Sequence, residues 1–95
     1  MNLYVGVLRY TEKGMTRIQD TLKRANAFRD LAKKCGVNIR EQLWMMGKDD
    51  GLLVFEAKDD ETATRLLLQL SAKGFVRART VRAFDRAGMK SLLKK

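Results

Sequence analysis

The stretch Ile39–Asp60, IREQLWMMGKDDGLLVFEAKDD, restricts the possible folds more than any other part of the chain. Two apolar runs flank a short polar turn, and the second run ends in an acidic helix start. The pattern predicts a β-hairpin: one strand through Leu43, Trp44, Met45 and Met46, a turn over Gly47–Gly51, and a second strand over Leu52–Ala57. Glycines supply backbone freedom at both ends of the turn, and Asp side chains bond their own backbone within such turns.

The flanking segments add two strands, two longer helices and a short terminal one. Asn2–Tyr10 alternates as a strand, with Leu3, Val5 and Val7 on one face and Tyr4, Gly6, Leu8 and Tyr10 on the other. Neither face is polar, so both are expected to be covered. Thr11–Gly36 has helical spacing, broken early at Gly14. Its stripe of Met15, Ile18, Leu22, Ala25, Phe28, Leu31 or Ala32, and Cys35 is expected to enter the core. Lys33 and Lys34 suit the negative end of the helix dipole, and Gly36 suits its left-handed stop. In Val37–Met46, plain alternation puts Val37, Ile39, Leu43 and Met45 under the helices and Asn38, Arg40, Gln42, Trp44 and Met46 on the opposite face. Asp59 and Asp60 offer cap oxygens to a second helix with Ala63, Leu66, Leu67 and Leu70 inward, ending at Gly74. Phe75–Phe84 is a fourth strand, and Asp85 caps a short terminal helix containing Met89, Leu92 and Leu93.

This order, βαββαβ plus a C-terminal helix, predicts an α+β, ferredoxin-like fold with both helices on one face of a four-stranded antiparallel sheet. The opposite face is expected to carry Tyr4, Gly6, Leu8, Tyr10, Gln42, Trp44, Met46, Leu52 and Val54, too apolar a surface to leave in water. A second sheet should lie against it. The expectation is a homodimer built face to face, a dimeric α/β barrel, or a larger homo-oligomer made from it.

The residues that form these elements also carry a resemblance. Leu3-Tyr4 and Arg9-Tyr10-Thr11 at the first strand, Thr11-Glu12-Lys13-Gly14 with Ile18 and Asp20, Gly47 to Asp50 at the hairpin, Val54 to Asp60, and Val76-Arg77 through Arg82-Ala83-Phe84 stand in one order and spacing. Over nearly its whole length the chain resembles the GYD domain family. That family is named for a Gly-x-Tyr-Asp-like turn; Gly47 and Asp50 match it, whereas Asp49 stands where the family has its aromatic. Leu43 and Met45 replace a Tyr and a Thr common in the preceding strand. The resemblance implies dimeric α/β barrel architecture and no particular reaction.

Ninety-five residues make one domain, 1–95, with a modest core. Hydrophobic residues at 45%, charged residues at 33% and the absence of proline describe an ordinary globular chain without linkers. No apolar run is long enough to span a bilayer and no secretory leader opens the chain, so the expected location is cytoplasmic, without a membrane partner. Cys35, the single cysteine, is expected to be a small half-buried hydrophobe. The net charge of +9 is uneven: Lys73–Lys95 holds Lys73, Arg77, Arg79, Arg82, Arg86, Lys90, Lys94 and Lys95 against only Asp85. Such a surface attracts anions over long range, although solvated charge alone also explains it.

Histidine is absent, which removes Ser–His and Cys–His nucleophile pairs and the commonest metal ligand. No catalytic residue, cofactor or metal is therefore assigned. The acids Asp49, Asp50, Glu56, Asp59, Asp60 and Glu61 divide between a turn and a helix start, where Asp has ordinary structural roles. Tyr4, Tyr10, Arg40, Trp44 and Met46 are the candidates for a small-molecule cleft between sheets, weighed against simple interface packing. Arg77, Arg79 and Arg82 are the candidates for anion or nucleic-acid contact. Three readings follow: a self-associating module that holds a small ligand; a cofactor-independent oxygenase or isomerase of the dimeric α/β barrel type; and a basic RNA- or DNA-binding module using the sheet face. The last is disfavoured because LLVFEA lacks the basic and aromatic pattern of an RNA-recognition strand.

Overall fold

The computed structural model describes residues 1–94. In chain order the elements are β1 (Asn2–Tyr10), α1 (Glu12–Thr16), a 3-10 turn (Ile18–Asp20), α2 (Thr21–Lys34), β2 (Asn38–Trp44), β3 (Gly51–Ala57), α3 (Asp60–Ala72), β4 (Val76–Ala83) and α4 (Arg86–Leu92). The strands form one antiparallel sheet in the order β2-β3-β1-β4, and the architecture is the expected ferredoxin-like α+β arrangement.

Local chemistry sets the helix boundaries. The side chain of Thr11 accepts from Gly14 N–H at 3.1 Å and caps α1. Asp59 accepts from Thr62 N–H at 2.8 Å to cap α3, and Asp85 accepts from Gly88 N–H at 2.8 Å to cap α4. Asp60 lies within the first turn of α3 and does not cap it; it serves Tyr4, as described below. The predicted first helix is broken at Arg17, one turn past Gly14, and is continued by the 3-10 turn before α2 begins. Only part of its stripe is core. Phe28 and Ala32 are buried, Ala25 and Leu31 are half-buried, and Met15, Ile18 and Leu22 remain exposed. Cys35, which caps the C-terminus of α2, is likewise exposed rather than half-buried.

The core lies between α2, α3 and one face of the sheet: Tyr4, Phe28, Ala32, Val37, Leu53, Phe55, Ala57, Ala63, Leu66 and Leu67. Tyr4 stacks on Phe55 with ring centroids 5.6 Å apart. This reverses the expected orientation of β1. Tyr4, Gly6, Leu8 and Tyr10 face the helices, and Leu3, Val5 and Val7 face away. Gly6 shows why: a Cβ there would stand 3.3 Å from Leu67 Cδ1, so the bare backbone lets α3 settle close to the sheet.

The other reversal is in β2. Ile39 pairs with Phe55 but Glu41 pairs with Val54, leaving Arg40 as the extra residue of a β-bulge. The bulge shifts the alternation by one. Ile39 faces the helices as expected, but beyond the bulge Gln42 and Trp44 turn inward and Leu43 outward, opposite to the plain alternation.

Candidate functional site

Two surfaces follow from this sheet, one on each side. On the helix side, the end of the sheet near the hairpin is not filled by α2 and α3. There Leu8, Tyr10, Trp44, Gly51 and Leu53 of the sheet face Thr21, Arg24, Ala25 and Phe28 of α2, with Leu70, Lys73 and Phe75 closing one side. They bound a partly open pocket of about 250 Å³, chiefly apolar in lining. That is just below the usual volume of small-molecule sites. The polar groups on its wall are few: the Tyr10 and Thr21 hydroxyls, the Gln42 amide, the Asp50 carboxylate, Arg24 and Lys73.

Most of these are already placed by neighbours. The Thr21 hydroxyl donates to Ile18 C=O at 2.6 Å, so its 3.4 Å contact with the Tyr10 hydroxyl leaves the tyrosine as donor in a long, weak bond. Asp50 accepts from Tyr10 N–H at 2.8 Å, while its own N–H donates to Leu8 C=O at 2.8 Å. One aspartate thus ties the hairpin to β1. Arg24 lies with its guanidinium over the Phe75 ring, 4.4 Å from the centroid, and donates from Nη1 to Arg17 C=O at 2.9 Å. Its Nη2 is buried and has no hydrogen-bond partner.

On the other side of the sheet, no helix among the described residues covers the outward side chains. The registers arrange them in rows from β2 to β4: Leu43, Leu52, Val7 and Arg79; then Glu41, Val54, Val5 and Val81; then Asn38, Glu56, Leu3 and Ala83. Arg9 and Arg77 pair at one end. The centre is aliphatic, with Leu43 48% and Val81 45% exposed at its edges. Acids lie toward β2 and β3, and arginines lie on β4 and at the end of β1.

The model of the GYD domain matches residues 4–93, and so takes in the sheet, both covering helices and α4. The chain belongs to the GYD domain family. A comparison with curated proteins finds no match. At the hairpin turn, Gly47 adopts φ 119°, a conformation that needs glycine, and Asp50 makes the ties to β1 just described. The turn is therefore a structural clasp at the rim of the pocket.

The candidate cleft residues separate. Tyr10 and Trp44 do meet, but in the helix-side pocket rather than on the open face. Tyr4 is a core residue at the opposite end of β1, 2% exposed, its hydroxyl donating to Asp60 Oδ1 at 2.6 Å and accepting from Asn2 Nδ2 at 3.2 Å. Burial and the bond to Asp60 raise its pKa. Arg40 stands exposed on the bulge, and Met46 is fully exposed past the end of β2. Of the candidate anion contacts, Arg77 and Arg79 are exposed on the open face. Arg82 turns to the helix side, stacks over Phe84 at 4.3 Å and donates to Leu3 C=O at 3.0 Å and to Ala83 C=O.

The acidic residues are dispersed: Glu56 accepts from Asn38 at 2.8 Å, Asp59 caps α3, and Glu61 pairs with Arg65 at 2.7 Å. Among the described residues no helix is long and apolar enough to cross a membrane. Arg24, Phe28 and Phe75 were not foreseen as site residues. A signal existed for Arg24, which precedes Phe28 by four and so shares the helix face that Phe28 buries.

Proposed function

We propose that this GYD domain protein is a self-associating module of the dimeric α/β barrel type, pairing its open sheet face with that of a second copy and holding a small molecule in the helix-side pocket. The observation that supports it is the sheet itself, apolar on both faces and covered by helices on one. The accessible surface is 6890 Å². A compact monomer of this mass exposes about 5,600 Å², so roughly 1,300 Å² is in excess, more than the ~800 Å² each partner contributes to a standard interface.

Charge favours a second copy as the occupant. A twofold axis that lays β2 of one copy over β4 of the other brings Glu41 toward Arg79 twice, while the aliphatic rows meet in the middle. The aliphatic character of the face also suits packing against another sheet more than stacking on bases, which calls for aromatics. Cytoplasmic residence accords with a free, exposed thiol at Cys35.

The Val54→Lys variant tests the reading. Val54 sits at the centre of the open face, so a lysine there is tolerated by a monomer and excluded from a sheet-to-sheet interface. Light scattering is expected to give a multiple of 10.9 kDa for the native protein and the single-chain mass for the variant, with unchanged circular dichroism. An unchanged assembly in the variant would place the contact elsewhere.

A further inference from the structure

We infer that α4 docks on an anionic lipid surface, with its apolar side among the acyl chains and its cations among the headgroup phosphates. The inference is independent of the pocket and of the open sheet face. Every residue of α4 except Gly88 is exposed, and among the described residues no other element packs closely against the helix. Its apolar side chains are nevertheless gathered on one side. Leu92 and Leu93 follow Met89 by three and four residues, the spacing that makes neighbours on a helix surface. Phe84 extends the stripe. It precedes the Asp85 cap and lies back over the first turn, where a Cβ at Gly88 would stand 3.5 Å from Phe84 Cβ. These four side chains are 48% to 70% exposed, although nothing in their own fold repays leaving them in water.

Charge decides the occupant. Arg86 and Lys90 stand about one turn apart beside the apolar stripe, and Lys94 continues their line. Between Thr62 and Lys94 the sole acid is Asp85, and its carboxylate is committed to Gly88 N–H at 2.8 Å. None of the three cations forms an ion pair among the described residues. Twofold pairing of α4 with the α4 of a second copy would set these cations against each other. A nucleic acid would neutralise them but leave the leucines wet. An anionic bilayer satisfies both sides at once, taking the apolar stripe at the acyl boundary and the cations at the phosphates. A helix that lies in the interface needs no spanning length, so two turns are enough.

The experiment sediments the full chain with vesicles of phosphatidylcholine alone and of phosphatidylcholine containing about 30% phosphatidylserine. Binding is expected to be at least ~tenfold tighter on the anionic vesicles. Arg86→Gln and Lys90→Gln are each expected to weaken it by about fivefold, the scale of one cation at a charged leaflet. The double variant Leu92→Ser, Leu93→Ser keeps every charge and is expected to weaken it by about tenfold or more. Circular dichroism is expected to stay native in all of them, because these side chains are exposed, and the native comparison of the two vesicles needs no variant. Equal binding to both vesicles, or binding to neither, overturns the inference. Anionic binding that the leucine variant leaves undiminished overturns it too, since net charge alone would then account for the attraction. So does a lower solution mass of the leucine variant without vesicles, which would assign the apolar side to a second copy.

Discussion

Single residues show how closely this small fold is fitted. At Gly14 a Cβ would stand 2.0 Å from the carbonyl oxygen of Phe75, with Thr11 N–H donating to that same oxygen at 3.1 Å. The backbone of α1 thus rests directly on the start of β4, and neither side is a movable side chain. Gly14→Ala is expected to cost about 3 kcal/mol, read as a lowered urea midpoint. Tyr4 makes a different commitment. Its raised pKa means that the folded state holds the phenolic proton more tightly than the unfolded chain does. Its contribution is therefore complete below the unfolded value of about 10 and is lost as pH rises through the folded value. Urea midpoints measured from neutral to alkaline pH are expected to fall in the native protein. In Tyr4→Phe, which strips Asp60 of its donor, they are expected to start lower and fall less steeply.

At the scale of elements, the hairpin that dominates the sequence is held to the sheet from both ends of one residue. Asp50 accepts from Tyr10 and donates to Leu8, and its carbonyl accepts from Met45 N–H at 2.9 Å. Asp50→Ala leaves the partly buried Tyr10 N–H without its acceptor, and is expected to destabilise by about 1–2 kcal/mol and to speed amide exchange at Tyr10. The elements themselves were legible in the sequence. Asn2–Tyr10 is a strand over its full predicted span, Asp59 and Asp85 cap where their spacing indicates, and Ala63, Leu66 and Leu67 form the buried stripe of α3. Which face of β1 turns inward was not legible, because Leu3, Val5 and Val7 are as apolar as Tyr4, Leu8 and Tyr10. The choice depends on contacts distant in sequence: Gly6 admitting Leu67, and Tyr4 reaching Asp60. The bulge at Arg40 was hidden for a similar reason, since Arg40 and Glu41 read as ordinary alternation. Trp44 and Tyr10, expected in a cleft on the open face, line the helix-side pocket instead, because the bulge and the orientation of β1 turn them inward.

At the scale of the molecule, the shape is elongated. The chain measures 51 × 30 × 17 Å with a radius of gyration of 14.0 Å, whereas a compact domain of this length has about 12.4 Å. Two layers, helices and sheet, leave one apolar face without a third, and the unevenly spread charge gives that face both an acidic and a basic side. Doubling the molecule across this face would convert two thin slabs into one four-layer body, leaving the helix-side pockets away from the joined face. The measurement that bears most directly on this account is the solution mass of the native protein by light scattering, across a dilution series at low and high salt. The account predicts a dimer or a multiple of it that survives dilution to micromolar chain and persists at high salt, since aliphatic burial rather than the Glu41–Arg79 pairs supplies most of the association. A monomer of 10.9 kDa at every concentration and salt would contradict it.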